Sequence, residues 1–216
     1  LLTAGPASGV IHEILPRRNY LIRRAAHKKA YGQLLAANLD QAVLVMAADQ
    51  ALSQLDFVDQ FLVVAEAADI PPYIVFNKVD LLEETQRLQS IQRLYEKLGY
   101  ATLAVSAHTQ QYLEAFRQAM LGKVSLLSGY SGVGKSTLLN TLAPEVNQAV
   151  ARPSQLPQRG RHTTTYAALF EVAPRTFVID TPGIQTLVPY AIEKKGLAYC
   201  FPELRSHAVA CKFYNC

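Results

Sequence analysis

Short apolar runs alternate along the chain with segments in which apolar residues recur at helical spacing. The runs predict six strands, at 41–48, 72–78, 101–107, 123–129, 166–172 and 176–183. Several are nearly continuous in Val, Ile, Leu and Ala, which is typical of parallel strands that are covered on both faces. The helical segments are 54–68, 84–98, 110–121 and 135–143. This alternation predicts an α/β fold with an open, mostly parallel sheet.

The last two predicted strands are separated only by Ala-Pro-Arg, residues 173–175. A crossover between parallel strands takes about a dozen residues or more. We therefore expect these two strands to pair as an antiparallel hairpin.

Both ends of the chain depart from the alternating pattern. Residues 1–36 contain two short β-like stretches, GVIHEIL and YLIRRA, on either side of the bend PRRN. That pattern predicts part of a small β module. In residues 184–216, apolar residues recur at no clear helical or strand spacing.

The composition limits the classes of protein to which this chain can belong. Hydrophobic residues make up 50% of the 216 residues, which is enough for a sizeable core. No apolar run approaches the roughly 20 residues that cross a bilayer, and the first residues lack the pattern of a secretory signal. The chain contains three cysteines, and an odd number of this size does not indicate a disulfide framework. We expect a cytoplasmic monomer with no membrane association.

Positive charge is clustered, although the net charge is only +4. One cluster comprises Arg17, Arg18, Arg23, Arg24, His27, Lys28 and Lys29, and the other comprises Arg152, Arg159, Arg161 and His162. Clustered arginine attracts a phosphate backbone, so both clusters are candidate RNA contacts. The alternative interpretation is a solvated basic surface.

The stretch GYSGVGKS, residues 129–136, follows a predicted strand and precedes a predicted helix. It fits the phosphate-loop pattern, in which glycines let backbone N–H groups surround phosphates at a helix N-terminus. Lys135 would neutralise the β- and γ-phosphates, and the Ser136 hydroxyl would bind Mg²⁺. The candidate nucleotide contacts are Gly129, Tyr130, Ser131, Gly132, Val133, Gly134, Lys135, Ser136 and Thr137. The alternative is a glycine-rich turn.

The stretch DTPG, residues 180–183, ends another predicted strand. Asp180 is a candidate Mg²⁺ partner, and the Gly183 N–H is a candidate contact to the γ-phosphate. Alone this pattern is weak, because Asp and Pro-Gly both favour turns. Its position at the end of a strand beyond a phosphate loop makes the assignment stronger.

The stretch NKVD, residues 77–80, indicates recognition of guanine. Guanine presents two adjacent donors, N1–H and the N2 amino group, and the Asp80 carboxylate can accept from both. Asn77 can contact guanine N7 and stabilise the loop, and the aliphatic part of Lys78 can pack on the face of the base. Val79 is the remaining residue of the motif. Ser106 and Ala107 end the next predicted strand, where a backbone N–H could bond guanine O6.

The stretch RHTTT, residues 161–165, lies in a polar segment after the phosphate loop. We choose Thr164 as the threonine that completes the Mg²⁺ shell and senses the γ-phosphate, and Thr163 is the second choice. The alternative is that the threonines begin the following strand, which suits their β-propensity.

These elements are those of the Ras-like GTPases, but the base loops precede the phosphate loop. The order is that of a circular permutation, which is physically reasonable because domain termini often lie close together. With GVIHEILPRRNYLIRRA, GRHTTT and FPELR…CKFYNC, the chain resembles the bacterial small-ribosomal-subunit-dependent GTPases of the RsgA type. The resemblance covers essentially the whole chain.

The resemblance implies three parts. Residues 1–36 would be part of an OB-fold, 37–187 the permuted GTPase domain, and 188–216 the beginning of a zinc-binding domain. Cys211 and Cys216 match the first two zinc ligands of the family pattern, but the His and third Cys are absent from this sequence. A structural zinc site normally has four ligands, which puts zinc in doubt for this chain.

The resemblance also implies a GTP hydrolase that acts in maturation of the small ribosomal subunit and is stimulated by it. GTP, GDP, Mg²⁺ and ribosomal RNA are the implied ligands, with no DNA. One alternative is a GTP-gated RNA-binding module with little turnover. Another is a P-loop ATPase or kinase, against which NKVD argues.

Catalysis raises a separate question, because Ile184 follows Gly183 where Ras-like enzymes carry a glutamine that orients water. An aliphatic side chain cannot hydrogen-bond to water. His162, beside the candidate switch threonines, is our candidate for that role. The alternative is that His162 contacts RNA or solvent.

Overall fold

The structure is a computed structural model that describes residues 2–4, 9–24, 32–142, 168–180, 192 and 194–212. Two small antiparallel pairs precede the main sheet. Strand β1 (Leu2–Ala4) pairs with β2 (Gly9–Ile11), and β3 (Tyr20–Arg24) pairs with β4 (Gly32–Ala37).

Six strands form the central sheet in the order β7-β6-β5-β8-β10-β9. Their bounds are β5 Gln41–Ala47, β6 Pro72–Asn77, β7 Ala101–Ala104, β8 Val124–Ser128, β9 Ala168–Ala173 and β10 Thr176–Asp180. Neighbours pair in parallel except β9 and β10, which are antiparallel. The predicted α/β sheet and its terminal hairpin are therefore confirmed. Strand β7 ends earlier than predicted, since Ser106 forms only an isolated bridge with Gln111.

Six helices are described, with these bounds: α1 Leu55–Ala67, α2 Gln86–Lys97, α3 Leu113–Met120, α4 Lys135–Leu142, α5 Lys194–Leu197 and α6 Pro202–Ala210. Helices α1 to α4 correspond to the four predicted helical segments. The C-terminal helices were not predicted, because their apolar residues do not recur at a clear helical spacing. None of the described helices is long and apolar enough to span a bilayer.

Helices cover both faces of the sheet. Along β5, Leu44 and Met46 belong to a core cluster with α1 and α2, whereas Val43 and Val45 belong to a second cluster with α3 and α4. Successive side chains of a strand point to opposite faces. This explains why every residue of β5 is buried and why its sequence is continuously apolar.

The chain reverses direction across the sheet between β5 and β8. It runs outward from β5 through β6 to β7 and returns to β8 on the other side of β5. At such a switch point, the loops after the carboxyl ends of the two strands diverge and leave a crevice for ligands. The candidate phosphate loop directly follows β8, so it begins at this crevice.

The segment before β5 is fastened to the central sheet by side chains. Asn19 donates to the Leu39 carbonyl (2.9 Å) and accepts from the Leu39 N–H (2.8 Å). Arg18 forms an ion pair with Asp40 (2.6 Å), which also accepts from the Val124 N–H (2.8 Å). Arg18 of the predicted RNA-binding cluster therefore has a structural partner.

Candidate functional site

The phosphate loop curves around the ammonium of its own lysine. Lys135 donates through Nζ to the carbonyls of Gly129 (2.7 Å) and Tyr130 (2.8 Å). Gly129 has φ +140°, and a Cβ there would collide with the Val45 carbonyl of β5. Glycine thus permits β8 to leave the sheet and turn into the loop at this point.

Asn77 joins the base loop to the phosphate loop. Its Nδ2 donates to the Val133 carbonyl (2.8 Å), and its Oδ1 accepts from the Ala107 N–H (3.0 Å). The side chain is buried, with 1% of its surface exposed. A Cβ at Gly134 would collide with Asn77 Nδ2, so this glycine makes room for the bridge.

Asp80 is exposed at the same edge, and one of its carboxylate oxygens accepts from the Ser106 hydroxyl. Ser106 is buried and also accepts from the Thr109 N–H (3.0 Å). The serine therefore fixes the carboxylate, a role that the Ser-Ala pair in the sequence does not indicate. Lys78 has φ +65°, an unusual conformation for a non-glycine residue.

The backbone donors predicted for guanine O6 are engaged within the protein. Ser106 N–H donates to the Gln111 carbonyl (3.1 Å), and Ala107 N–H donates to Asn77 Oδ1 (3.0 Å). Contact with guanine O6 would require the base to share the Ala107 donor or replace Asn77 as its acceptor.

Asp180 lies half-buried at the end of β10, and its Oδ1 is buried without a hydrogen-bond partner among the residues that the structure describes. Burial raises the pKa of Asp180, and the positive charge of Lys135 opposes that rise. Burial likewise lowers the pKa of Lys135, against the negative charge of Asp180. A buried carboxylate oxygen without a donor fits a cation such as Mg²⁺. Ser136, exposed at the start of α4, adds a hydroxyl oxygen.

Tyr130 of the phosphate loop packs on helix α1. Its ring centroid lies 4.3 Å from that of Phe57, with 36° between the ring planes. Tyr130 also packs against both core clusters. The aromatic ring therefore anchors the loop to the protein, a contact that the phosphate-loop pattern does not indicate.

Several predicted site residues lie outside the described residues: His162, Thr163, Thr164, Gly183 and Cys216. Cys211 is described and exposed. Within the described ranges, no group of three or more His, Cys, Asp and Glu side chains could hold a metal ion. The zinc site and the threonine contact to Mg²⁺ remain predictions.

Comparisons with known proteins agree with this arrangement. The sequence profile of the family described as RsgA GTPase matches residues 14–188. The small ribosomal subunit biogenesis GTPase RsgA of Bacteroides fragilis is 40% identical over 208 residues, which cover 95% of this chain and 67% of that protein.

Two crystal structures are similar to this fold. YjeQ from Thermotoga maritima superimposes with a TM-score of 0.73 at 31% identity, over 97% of this chain and 66% of that one. YloQ, described as a circularly permuted GTPase, superimposes with a TM-score of 0.72 at 30% identity, over 100% and 66% of the two chains. This chain thus spans about two thirds of the length of these relatives.

Proposed function

The chain belongs to the RsgA GTPase family, and we propose that it binds GTP with Mg²⁺ and hydrolyses it during maturation of the small ribosomal subunit. Its relatives are named as small ribosomal subunit biogenesis GTPases. We extend this role, including stimulation of turnover by the subunit and a cytoplasmic location, to the present chain.

The observation that carries the proposal is the bridge made by Asn77. One buried side chain bonds the phosphate loop at Val133 and the second base loop at Ala107. Motifs that lie far apart in the sequence, in permuted order, therefore meet at one edge of the sheet. A nucleotide whose phosphates rest on 129–137 would have its base within reach of Asp80.

We assign the chemistry to residues of this chain. Lys135 neutralises charge on the β- and γ-phosphates, which assists the departure of the γ-phosphoryl group. Ser136, Thr164 and Asp180 would hold Mg²⁺, which would supply further charge neutralisation at the phosphate oxygens. His162 orients or deprotonates the attacking water, since Ile184 cannot. Gly183 donates its N–H to the γ-phosphate.

In this proposal, ribosomal RNA is bound by the N-terminal part of the chain, the basic clusters and the C-terminal part. Residues 1–36 form part of an OB-fold, 37–187 the permuted GTPase domain, and 188–216 the start of a zinc-binding domain. Arg17 is an exposed member of the first basic cluster. Arg18 is less available because it is paired with Asp40.

Ile184 favours a second candidate function. If no group replaces the missing glutamine, the chain is a GTP-gated RNA-binding module with little turnover. The two functions differ in whether phosphate is released over many cycles when small subunits are present.

Two substitutions test the proposed site. We expect Lys135→Ala and Ser136→Ala both to abolish GTP turnover, because the first removes charge at the phosphates and the second removes a Mg²⁺ ligand. High Mg²⁺ should partly restore the Ser136 variant only. Phosphate release is measured across a Mg²⁺ titration, with Lys97→Ala, an exposed lysine at the end of α2, as the control. Equal rescue of both variants would contradict the two roles.

GTP specificity is tested by competition. A fluorescent GTP analogue is displaced from the wild-type protein by GTP, GDP or ATP. We expect GTP and GDP to compete and ATP to be much weaker, because adenine lacks the two donors that Asp80 would meet. Equal competition by ATP would reject a guanine site.

A further inference from the structure

A surface groove lies beside the base loop, outside the nucleotide site itself. Its volume is about 340 Å³. The groove runs between the segment after β5, the turn after NKVD and helix α2. Its lining residues are Ala48, Asp49, Leu52, Leu81, Leu82, Glu83, Glu84, Arg87, Leu88 and Ile91.

The groove has a mixed lining, in which apolar side chains lie beside charged ones. Ala48, Leu88 and Ile91 are buried at its base. Leu52 and Leu81 remain 51% and 59% exposed beside it, although both are large aliphatic residues. Both leucines line the same concavity, so their exposed apolar surface is available to a partner. This surface can bury an apolar side chain of a partner.

The charge around this groove is mainly negative. Asp49, Glu83 and Glu84 are exposed carboxylates, and Arg87 is the basic residue among the lining side chains. Within the part of the chain that the structure describes, none of the three carboxylates forms an ion pair. The rim therefore offers negative charge that complements a basic partner and repels phosphate groups.

We propose that this groove docks a basic protein segment that carries a large aliphatic side chain. The side chain would pack against Leu52 and Leu81 in the groove, and lysines or arginines beside it would meet the carboxylates of the rim. RNA does not fit this surface, since its phosphates would face unpaired acids. The surface thus differs in partner from the basic clusters.

The groove is continuous with the base loop. Leu81 N–H donates to the Lys78 carbonyl (3.1 Å), and Ala48 N–H donates to the Asn77 carbonyl (2.8 Å). A docked segment would therefore contact the turn that carries Asp80. This surface is nevertheless separate from the residues assigned to GTP, so its test does not depend on hydrolysis.

The probe for this groove is a short fluorescent lysine-rich peptide with two central leucines. Its binding to the whole protein is measured by fluorescence anisotropy at low salt. The comparison probes are the same peptide with alanines for leucines, its glutamate-rich counterpart, and polyuridine. We expect the leucine-containing basic peptide to bind at least about tenfold more tightly than either altered peptide.

Variants locate the binding on the protein. Leu52→Ala combined with Leu81→Ala should weaken the peptide about tenfold, and Glu83→Gln with Glu84→Gln should flatten its salt dependence. Leu94→Ala is the matched control, because Leu94 is 50% exposed on α2 but does not line the groove. Polyuridine binding should be unchanged by the leucine variants. Unchanged peptide affinity in the double leucine variant, or its equal loss in Leu94→Ala, would overturn the proposal.

Discussion

Asn77 and Asp80 belong to one motif but occupy different environments. Asn77 is 1% exposed and is fully engaged with other loops. Asp80 is exposed, and Ser106 holds one of its oxygens. We infer that Asn77 maintains the shape of the pocket, whereas Asp80 is available to choose the base.

Asp80→Asn should shift nucleotide preference from GTP towards xanthosine triphosphate. The amide offers one acceptor and one donor, which match the xanthine edge better than the two donors of guanine. Hydrogen bonds to charged groups contribute roughly 1.5–3 kcal/mol, so GTP affinity should fall about ten- to a hundredfold. Both nucleotides are titrated against wild type and variant, with Glu84→Gln as a charge-matched control. Unchanged affinities would mean that NKVD does not recognise the base.

Residue types at the site were predictable, but several contacts were not. NKVD, GYSGVGKS and DTPG specify chemistry through spacing, and their positions at strand ends predicted a common edge. The bond from Asn77 to Val133 joins residues 56 positions apart, which no local pattern encodes. Likewise, a Ser-Ala pair is too short a motif to indicate that its hydroxyl holds Asp80 or that Ala107 N–H bonds Asn77.

At the scale of elements, Asp40 connects three parts of the chain. Its carboxylate accepts from Val124 N–H at the start of β8 and from Arg18 in the segment before β3. The Val124 hydrogen bond and the Arg18 charge hold the pKa of Asp40 below its usual 3.8, against the opposite effect of burial. Ionised Asp40 therefore stabilises the attachment of the N-terminal segment.

Asp40→Asn should lower the free energy of unfolding by about 1 kcal/mol at neutral pH, allowing for partial exposure. Because the folded pKa is depressed, the wild-type advantage is present above pH 3.8 and is lost as pH falls through the lower folded value. Urea unfolding at neutral and acidic pH measures the difference. Asp69→Asn, at an exposed carboxylate, is the control. A difference that persists undiminished at acidic pH would contradict this role.

The secondary-structure elements differ in how well the sequence pattern predicts them. Continuous apolar runs predicted the central strands because both faces of β5 are buried. Helix α6 was missed because its attachment relies on particular contacts, including the ion pair of Arg205 with Glu66, rather than on an apolar stripe. An ion pair of this kind depends on two residues that are distant in the sequence, so it produces no periodic pattern along the helix.

At the scale of the whole molecule, sheet topology reconciles the permuted order with a single site. Strand β5 lies centrally, with the base loops to one side and the phosphate loop on its other neighbour, β8. Moving the chain ends changes the order of the loops along the sequence without changing the edge of the sheet that they share. The residues proposed for water activation and for RNA binding lie outside this shared edge.

His162→Ala tests the proposed source of catalysis. We expect GTP affinity to be unchanged and most of the subunit-stimulated turnover to be lost, because the attacking water would no longer be oriented. The control is His108→Ala, an exposed histidine in the segment after Ala107. Full stimulation of the His162 variant, with binding to subunits verified separately, would assign that role to a group from the ribosome.

Multiple-turnover phosphate release, with and without purified small ribosomal subunits, tests the central claim most directly. Without subunits we predict slow GTP turnover, on the order of 10⁻⁴ to 10⁻³ per second, as for GTPases that lack an assisting group. With subunits the rate should rise by about tenfold or more, and Lys135→Ala should abolish it. Verified binding to subunits with no increase in turnover would contradict the claim and support a GTP-gated RNA-binding module instead.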